Sequence, residues 1–224
     1  PSLKQYPSSN LGAFWLLNEL FRFDAYSGDL AKYYQNISDS LKKAQEQGLP
    51  LVIRCQEASA FRQAMLLAQN LGMRLIIQGG TGASRLTDLL RENGVSVIVE
   101  ADIRPNGDWP DEEIKRKDEL WKNLQNIAAL IREGMPVAIA SGDEKYLPEL
   151  FWVAQYFQKF GIPQEDLIKT ITINPAKIFG LEARIGSLAK GKDADILFFK
   201  RESGRPLPHL RKVMSQGRMV HEEE

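Results

Sequence analysis

Four short apolar runs, at residues 51–54, 74–78, 96–100 and 136–140, alternate with segments of helical periodicity. That alternation restricts the chain to an α/β fold with a parallel sheet and right-handed crossovers. The first run follows Pro50, and such runs read as strands buried on both faces. Helices are predicted over 9–24, 29–47, 58–71, 84–92, from near Asp111 to Gly134, and over 146–160, 164–171 and 175–180. The first carries Leu11, Phe14, Trp15, Leu16, Leu17, Leu20 and Phe21 at helical spacing, with Ser8 or Ser9 placed to cap it. Gly48, Gly72 and Asn93-Gly94 stop the next three, because glycine and asparagine tolerate the left-handed conformation that ends a helix. Trp15, Trp121 and Trp152 fall in helical patterns and are expected in the core. Periodicity does not choose between an open doubly wound sheet and part of a barrel. In both, function lies beyond the C-terminal strand ends. That rule selects Arg54-Cys55-Gln56, Gly79-Gly80-Thr81, Glu100 to Asp102, and Ser141-Gly142-Asp143.

After Gly180 the pattern changes to short strands, predicted near 186–188, 194–200 and 212–220. Turns fall at Lys190-Gly191-Lys192, Gly204-Arg205-Pro206 and Gln216-Gly217, the last reading as a hairpin or bulge. The domain reading is a partial barrel or sheet over 1–184 and a β segment over 185–224.

Composition removes several function classes. The 29 Lys and Arg balance the 29 Asp and Glu, which gives no electrostatic case for nucleic acid or an anionic membrane. The longest apolar runs, such as 49–53, fall far short of a membrane span. Cys55 is the single cysteine, so neither an internal disulfide nor a thiolate metal cluster can form, and it does not identify a compartment. The two histidines, His209 and His221, exclude a polyhistidine centre built from this chain alone. The first residue is Pro1, so a start inside a longer polypeptide is expected.

Two motif blocks carry a resemblance. Thr172-Ile173-Asn174-Pro175-Ala176-Lys177-Ile178-Phe179-Gly180-Leu181 is followed by Gly186-Ser187-Leu188-Ala189-Lys190-Gly191-Lys192-Asp193-Ala194-Asp195-Ile196. The first makes local sense as Asn174 capping a helix with a first-turn proline. The second reads as a tight turn entering a strand. Together they resemble the end of the barrel and the return to the β-sandwich in the amidohydrolase superfamily, of the imidazolonepropionase and dihydroorotase kind. Residues 213–220 resemble the closing strand pair, and Tyr6 to Gly12 resembles a segment of degenerate members ahead of the second half-barrel. The resemblance implies that the four strands are strands five to eight of a (β/α)8 TIM-type barrel. It also implies that the last residues are C-terminal strands of a small β-sandwich.

The family holds divalent metal at the barrel mouth with histidines after strands one, five and six and an aspartate after strand eight, which also shuttles protons. The strand-five histidine position falls on Arg54, which presents only donors and cannot ligate a cation. The strand-six position falls on Gly79. Asp143 matches the aspartate. A divalent cofactor is therefore implied only where an upstream half supplies ligands. Asp143 reads as metal ligand or general base, or as a loop aspartate that caps the next helix or pairs with Arg54. Arg54 reads as a binder of a substrate carboxylate or as the neutraliser of Asp143. Glu100 and Asp102 line the mouth or are solvated loop carboxylates. Cys55 is a reactive thiolate or a buried structural cysteine, and no histidine stands ready as its base. The turn from Gln78 to Ser84 offers Gly79 and Gly80 for an anion at a helix start, or for positive φ alone. Trp109 touches a ligand or anchors its loop, and the two histidines read as solvent-facing.

Three functions stay open. One is a hydrolase of non-peptide C–N bonds in amides or cyclic amides. The second is an inactive homologue that binds a small molecule or partner. The third is an anion-binding α/β domain. Partners are expected to be a small-molecule substrate or ligand, and either further copies of the chain or a missing N-terminal half.

Overall fold

A computed structural model describes residues 10–22, 31–56, 58–101, 117–142, 144–201 and 208–223. Asp102, Trp109, Asp143, Ser8, Ser9 and the turn at Gly204-Arg205-Pro206 lie outside the described residues. The chain divides into two compact units, Pro1–Ile171 and Thr172–Glu224.

The first unit runs α1 (Asn10–Arg22), α2 (Ala31–Glu46), β1 (Leu51–Cys55), α3 (Ala58–Asn70), β2 (Leu75–Gly79), α4 (Thr87–Glu92), β3 (Ser96–Glu100), α5 (Lys117–Arg132), β4 (Val137–Ala140), α6 (Leu150–Tyr156) and α7 (Gln164–Ile171). The four strands pair in consecutive order and all are parallel, as the alternation of runs predicts. Successive strand residues face opposite sides of a sheet. One face carries Cys55, Leu75, Ile77, Val97, Val99, Val137 and Ile139 into a single core cluster. Phe61, Ala64, Met65 and Ala68 of α3 enter that cluster at 3–4 residue spacing, as do Leu124, Ile127 and Ala128 of α5. Each large side chain so buried stabilises the fold by roughly 1.5–3 kcal/mol. Helix ends follow the expected glycines: Gly134 has φ +70, and Met135 N–H bonds back to Leu130 O at 3.2 Å.

Several elements differ from expectation. The segment predicted as one helix over 84–92 is a 3₁₀ turn, Thr81–Arg85, then α4. Gly80 is left-handed with φ +52, and the chain must tighten there before an α-helix can begin. The helix predicted over 146–160 shrinks to α6 between two 3₁₀ segments, the first of which contains Pro148. A proline has no N–H and cannot continue an α-helical ladder. Trp15 and Trp121 are not core residues, being 55% and 46% exposed. Among the described side chains of α1 Leu20 is the buried one, and Trp121 lies against Phe160 with ring centroids 4.9 Å apart, at the rim of the core face. Trp152 is half-buried.

The second unit holds α8 (Ile173–Phe179) and an antiparallel sheet of β5 (Ile196–Lys200), β6 (His209–Ser215) and β7 (Arg218–Glu222). Asn174 is not the cap of α8, because the helix already begins at Ile173 after Thr172. Pro175 still lies in the first turn, where its missing N–H costs nothing. Residues 186–188 do not form a strand, since Gly186 has φ +88. A Cβ there would come within 2.7 Å of Ala176 Cβ and 2.9 Å of Thr172 O. The two motif blocks therefore meet at this glycine. The β6–β7 hairpin turns at Gln216 and Gly217, with φ 48 and 77, the two positive values of a type I′ turn. Asp195 Oδ1 accepts from Gln216 N–H at 2.8 Å and from the Ser215 hydroxyl at 3.2 Å. Gly217 N–H donates to Ala194 O at 3.1 Å, so the block ending in Ala194-Asp195 anchors the hairpin.

Candidate functional site at the C-terminal strand ends

Arg54, Gln78 and Glu100 lie on the sheet face opposite the core cluster. Register places Arg54 beside Gln78 and Gln78 beside Ile98, and Glu100 follows Ile98 by two residues. The period of two therefore puts all three side chains on one side, near the C-terminal ends of β1, β2 and β3.

Their polar groups close on one another. Arg54 Nη2 donates to Glu100 Oε2 at 2.7 Å, and Gln78 Nε2 donates to Glu100 Oε1 at 2.9 Å. Both carboxylate oxygens are thus engaged. Arg54 is 66% exposed at its side chain and Glu100 17%. Glu100 is therefore no solvated loop carboxylate: it is the centre of the network. Gln78 escapes the sequence-based choice of site residues, whereas Glu100 is selected there as a mouth or loop carboxylate. The signal for Gln78 is there, since it is a polar residue near the end of an apolar strand, on the parity of Arg54. Among the described residues the arginine's ion-pair partner is Glu100.

Gly79 and Gly80 follow directly. Gly79 has φ +95, and a Cβ on it would meet Gln56 Nε2 at 2.5 Å. The Gln56 carboxamide thus fills the space into which a side chain at 79 would project. Gly80 is comparably crowded, with Val97 Cγ1 2.6 Å from its missing Cβ. Within this turn Gly80 N–H bonds to Cys55 O and Ala83 N–H to Gly80 O, so these two donors are already engaged. These glycines serve positive φ and close approach.

Cys55 is buried, and desolvation raises its thiol from 9.0 to about 11. A protonated, enclosed thiol is a structural residue and a poor nucleophile. His209 and His221 lie on the second unit's sheet, where His209 pairs with Glu223. That hydrogen bond, with the neighbouring charges, holds the Glu223 carboxyl below its usual value.

A metal requires deprotonated O, N or S donors. The described groups at this end do not fit one: Arg54 offers only N–H, Gly79 has no side chain, and Glu100 is taken up by Arg54 and Gln78. Among the described residues no three His, Cys, Asp or Glu side chains come together.

The amidohydrolase family model matches residues 28–221. No curated protein matches the chain. The chain is similar to the crystal structure of an amidohydrolase from Thermotoga maritima MSB8, at 25% identity and TM-score 0.73, over 98% of this chain and 58% of that one. It is similar in fold to a Xaa-Pro dipeptidase with methionine bound in the active site, at 20% identity and TM-score 0.58, over 82% of this chain and 47% of that one. It is also similar in fold to a molinate hydrolase, at 14% identity and TM-score 0.60, over 95% and 55%. The chain thus spans about half the length of these structures.

Proposed function

Because this chain belongs to the amidohydrolase family, we propose that the protein hydrolyses non-peptide C–N bonds, in an amide or cyclic amide. Its part of the barrel mouth binds and orients the substrate. The observation that carries this is the closed Arg54–Glu100–Gln78 network at the C-terminal strand ends, where a barrel places its ligand. These residues hold charge and hydrogen bonds in fixed positions and activate no water themselves. Asp143 remains the proposed acid–base group, with Asp102 beside the mouth, and any divalent metal would need ligands from another part of the polypeptide. The outer edges of β1 and β4, which pair with no further strand among the described residues, are proposed to be covered by further strands of the same protein or by a second subunit.

The test is turnover of N-acyl amino acids and cyclic amides by the full-length protein, with and without added zinc or manganese. Asp143→Asn is expected to abolish turnover with little change in melting temperature. Equal turnover in that variant would remove Asp143 from the reaction.

A second reading is a non-catalytic homologue that binds a small molecule. It is favoured by the arginine's positive charge standing where the family places a metal ligand, with Glu100 as its counterion. Absence of turnover on every amide and metal tried, together with retained ligand binding, would select this reading.

A further inference from the structure

Resting on the reading of this strand end as a ligand site, we propose that Arg54 binds a carboxylate group of the small-molecule ligand, its guanidinium held by Glu100, which Gln78 orients. A guanidinium presents five N–H donors in a planar fork that matches a carboxylate. Glu100 engages Nη2 at 2.7 Å, and among the described residues it is the partner recorded for Arg54. The side chain is 66% exposed, so the remaining donors are open to a ligand. Gln78 and Glu100 stand on β2 and β3, both inner strands of the four-stranded sheet. Groups fixed on such elements are placed more accurately than groups on loops. The arginine therefore loses less freedom on binding than an unanchored one.

The same network selects a carboxylate over a phosphate. One guanidinium already faces one carboxylate, and a dianion would set two further negative charges beside Glu100. The nearby glycine turn does not compensate, since the N–H groups of Gly80 and Ala83 are bonded within the chain. A single-charge, planar anion is the better match. Gln78 acts through Glu100 and is a positioning residue.

Calorimetric titration of the full-length protein tests this with three probes: N-acetylglycine, N-acetylglycinamide and inorganic phosphate. N-acetylglycine is expected to bind at least tenfold more tightly than the amide and more tightly than phosphate. Arg54→Gln is expected to weaken it by tenfold or more. Arg54→Lys is expected to recover little, because a point charge lacks the fork. Gln78→Ala is expected to weaken the acid several-fold while leaving the amide unchanged, which loss of fold would not do. Circular dichroism confirms that each variant is folded. Equal binding of acid and amide, tighter binding of phosphate, no binding of N-acetylglycine, or an unchanged Arg54→Gln variant would each overturn the proposal. Amide turnover is read separately, so failed hydrolysis with selective acid binding overturns the catalytic reading and supports this one.

Discussion

At the scale of single residues, the ion pair that matters is Arg54–Glu100, and its exposure sets its worth. If the pair were buried, a carboxylate left without its arginine would cost about 3–5 kcal/mol. Arg54 is 66% exposed, so Arg54→Ala is expected to cost about 1 kcal/mol or less, measured by urea unfolding. The glycines are ordered differently. Gly80→Ala is expected to destabilise by about 2–4 kcal/mol, because a Cβ meets the buried Val97 at 2.6 Å and φ is positive. Gly79→Ala is expected to cost about 1–2 kcal/mol, since the Gln56 carboxamide it meets can swing away. The reverse order would mean that the turn is held otherwise than by these contacts. Cys55 gives a pH dependence. Its folded value lies above the unfolded one, so its contribution is complete below about pH 9 and is lost as pH rises towards 11. Between pH 8 and 10.5 the native protein is expected to lose on the order of 2 kcal/mol more stability than Cys55→Ala. Identical losses in the two proteins would show that the thiol is not desolvated.

At the scale of elements, the two motif blocks of the second unit act through contacts that their spacing alone does not display. Gly186 lies against the first turn of α8, where a Cβ would be 2.9 Å from Thr172 O and 3.0 Å from Ile173 Cα. Backbone cannot move aside as a side-chain tip can. Gly186→Ala is expected to lower the melting temperature by several degrees, and Gly191→Ala, which meets nothing within 4 Å, by less although its φ is also positive. Comparable shifts would remove close approach as the reason for Gly186. The hairpin depends on Asp195 in the same way. Its carboxylate gathers Gln216 N–H and the Ser215 hydroxyl, a strand-entry block reaching a turn 21 residues onward. The motif was legible as a local turn; its role as an anchor required the fold.

At the scale of the whole molecule, the first unit is a four-stranded parallel sheet whose core lies on one face and whose inner and outer strands differ. β2 and β3 have a strand on each side, whereas β1 and β4 have one among the described residues. Hydrogen exchange of the chain is expected to protect 75–79 and 96–100 more strongly than 51–55 and 137–140. Uniform protection would mean that the outer edges are paired, by another copy or by another segment. The second unit's sheet has no buried side chain among the described residues of β5, β6 and β7, so it supplies little core of its own.

The sequence by itself determined the four parallel strands, their order and most helix ends, because period-two and helical patterns and left-handed glycines act over a few residues. It also placed Arg54, Gly79 and Gly80 at the functional end, since that follows from which end of each strand a residue occupies. It did not determine partners. Glu100 sits 46 residues from Arg54 and 22 from Gln78, and nothing local distinguishes it from a solvated carboxylate. Register between strands brought the three together, and register is fixed by packing the whole core face at once. Trp15 and Trp121 failed as core predictions for the same reason: helical spacing gives a face, while the neighbours in space decide how much of it is covered.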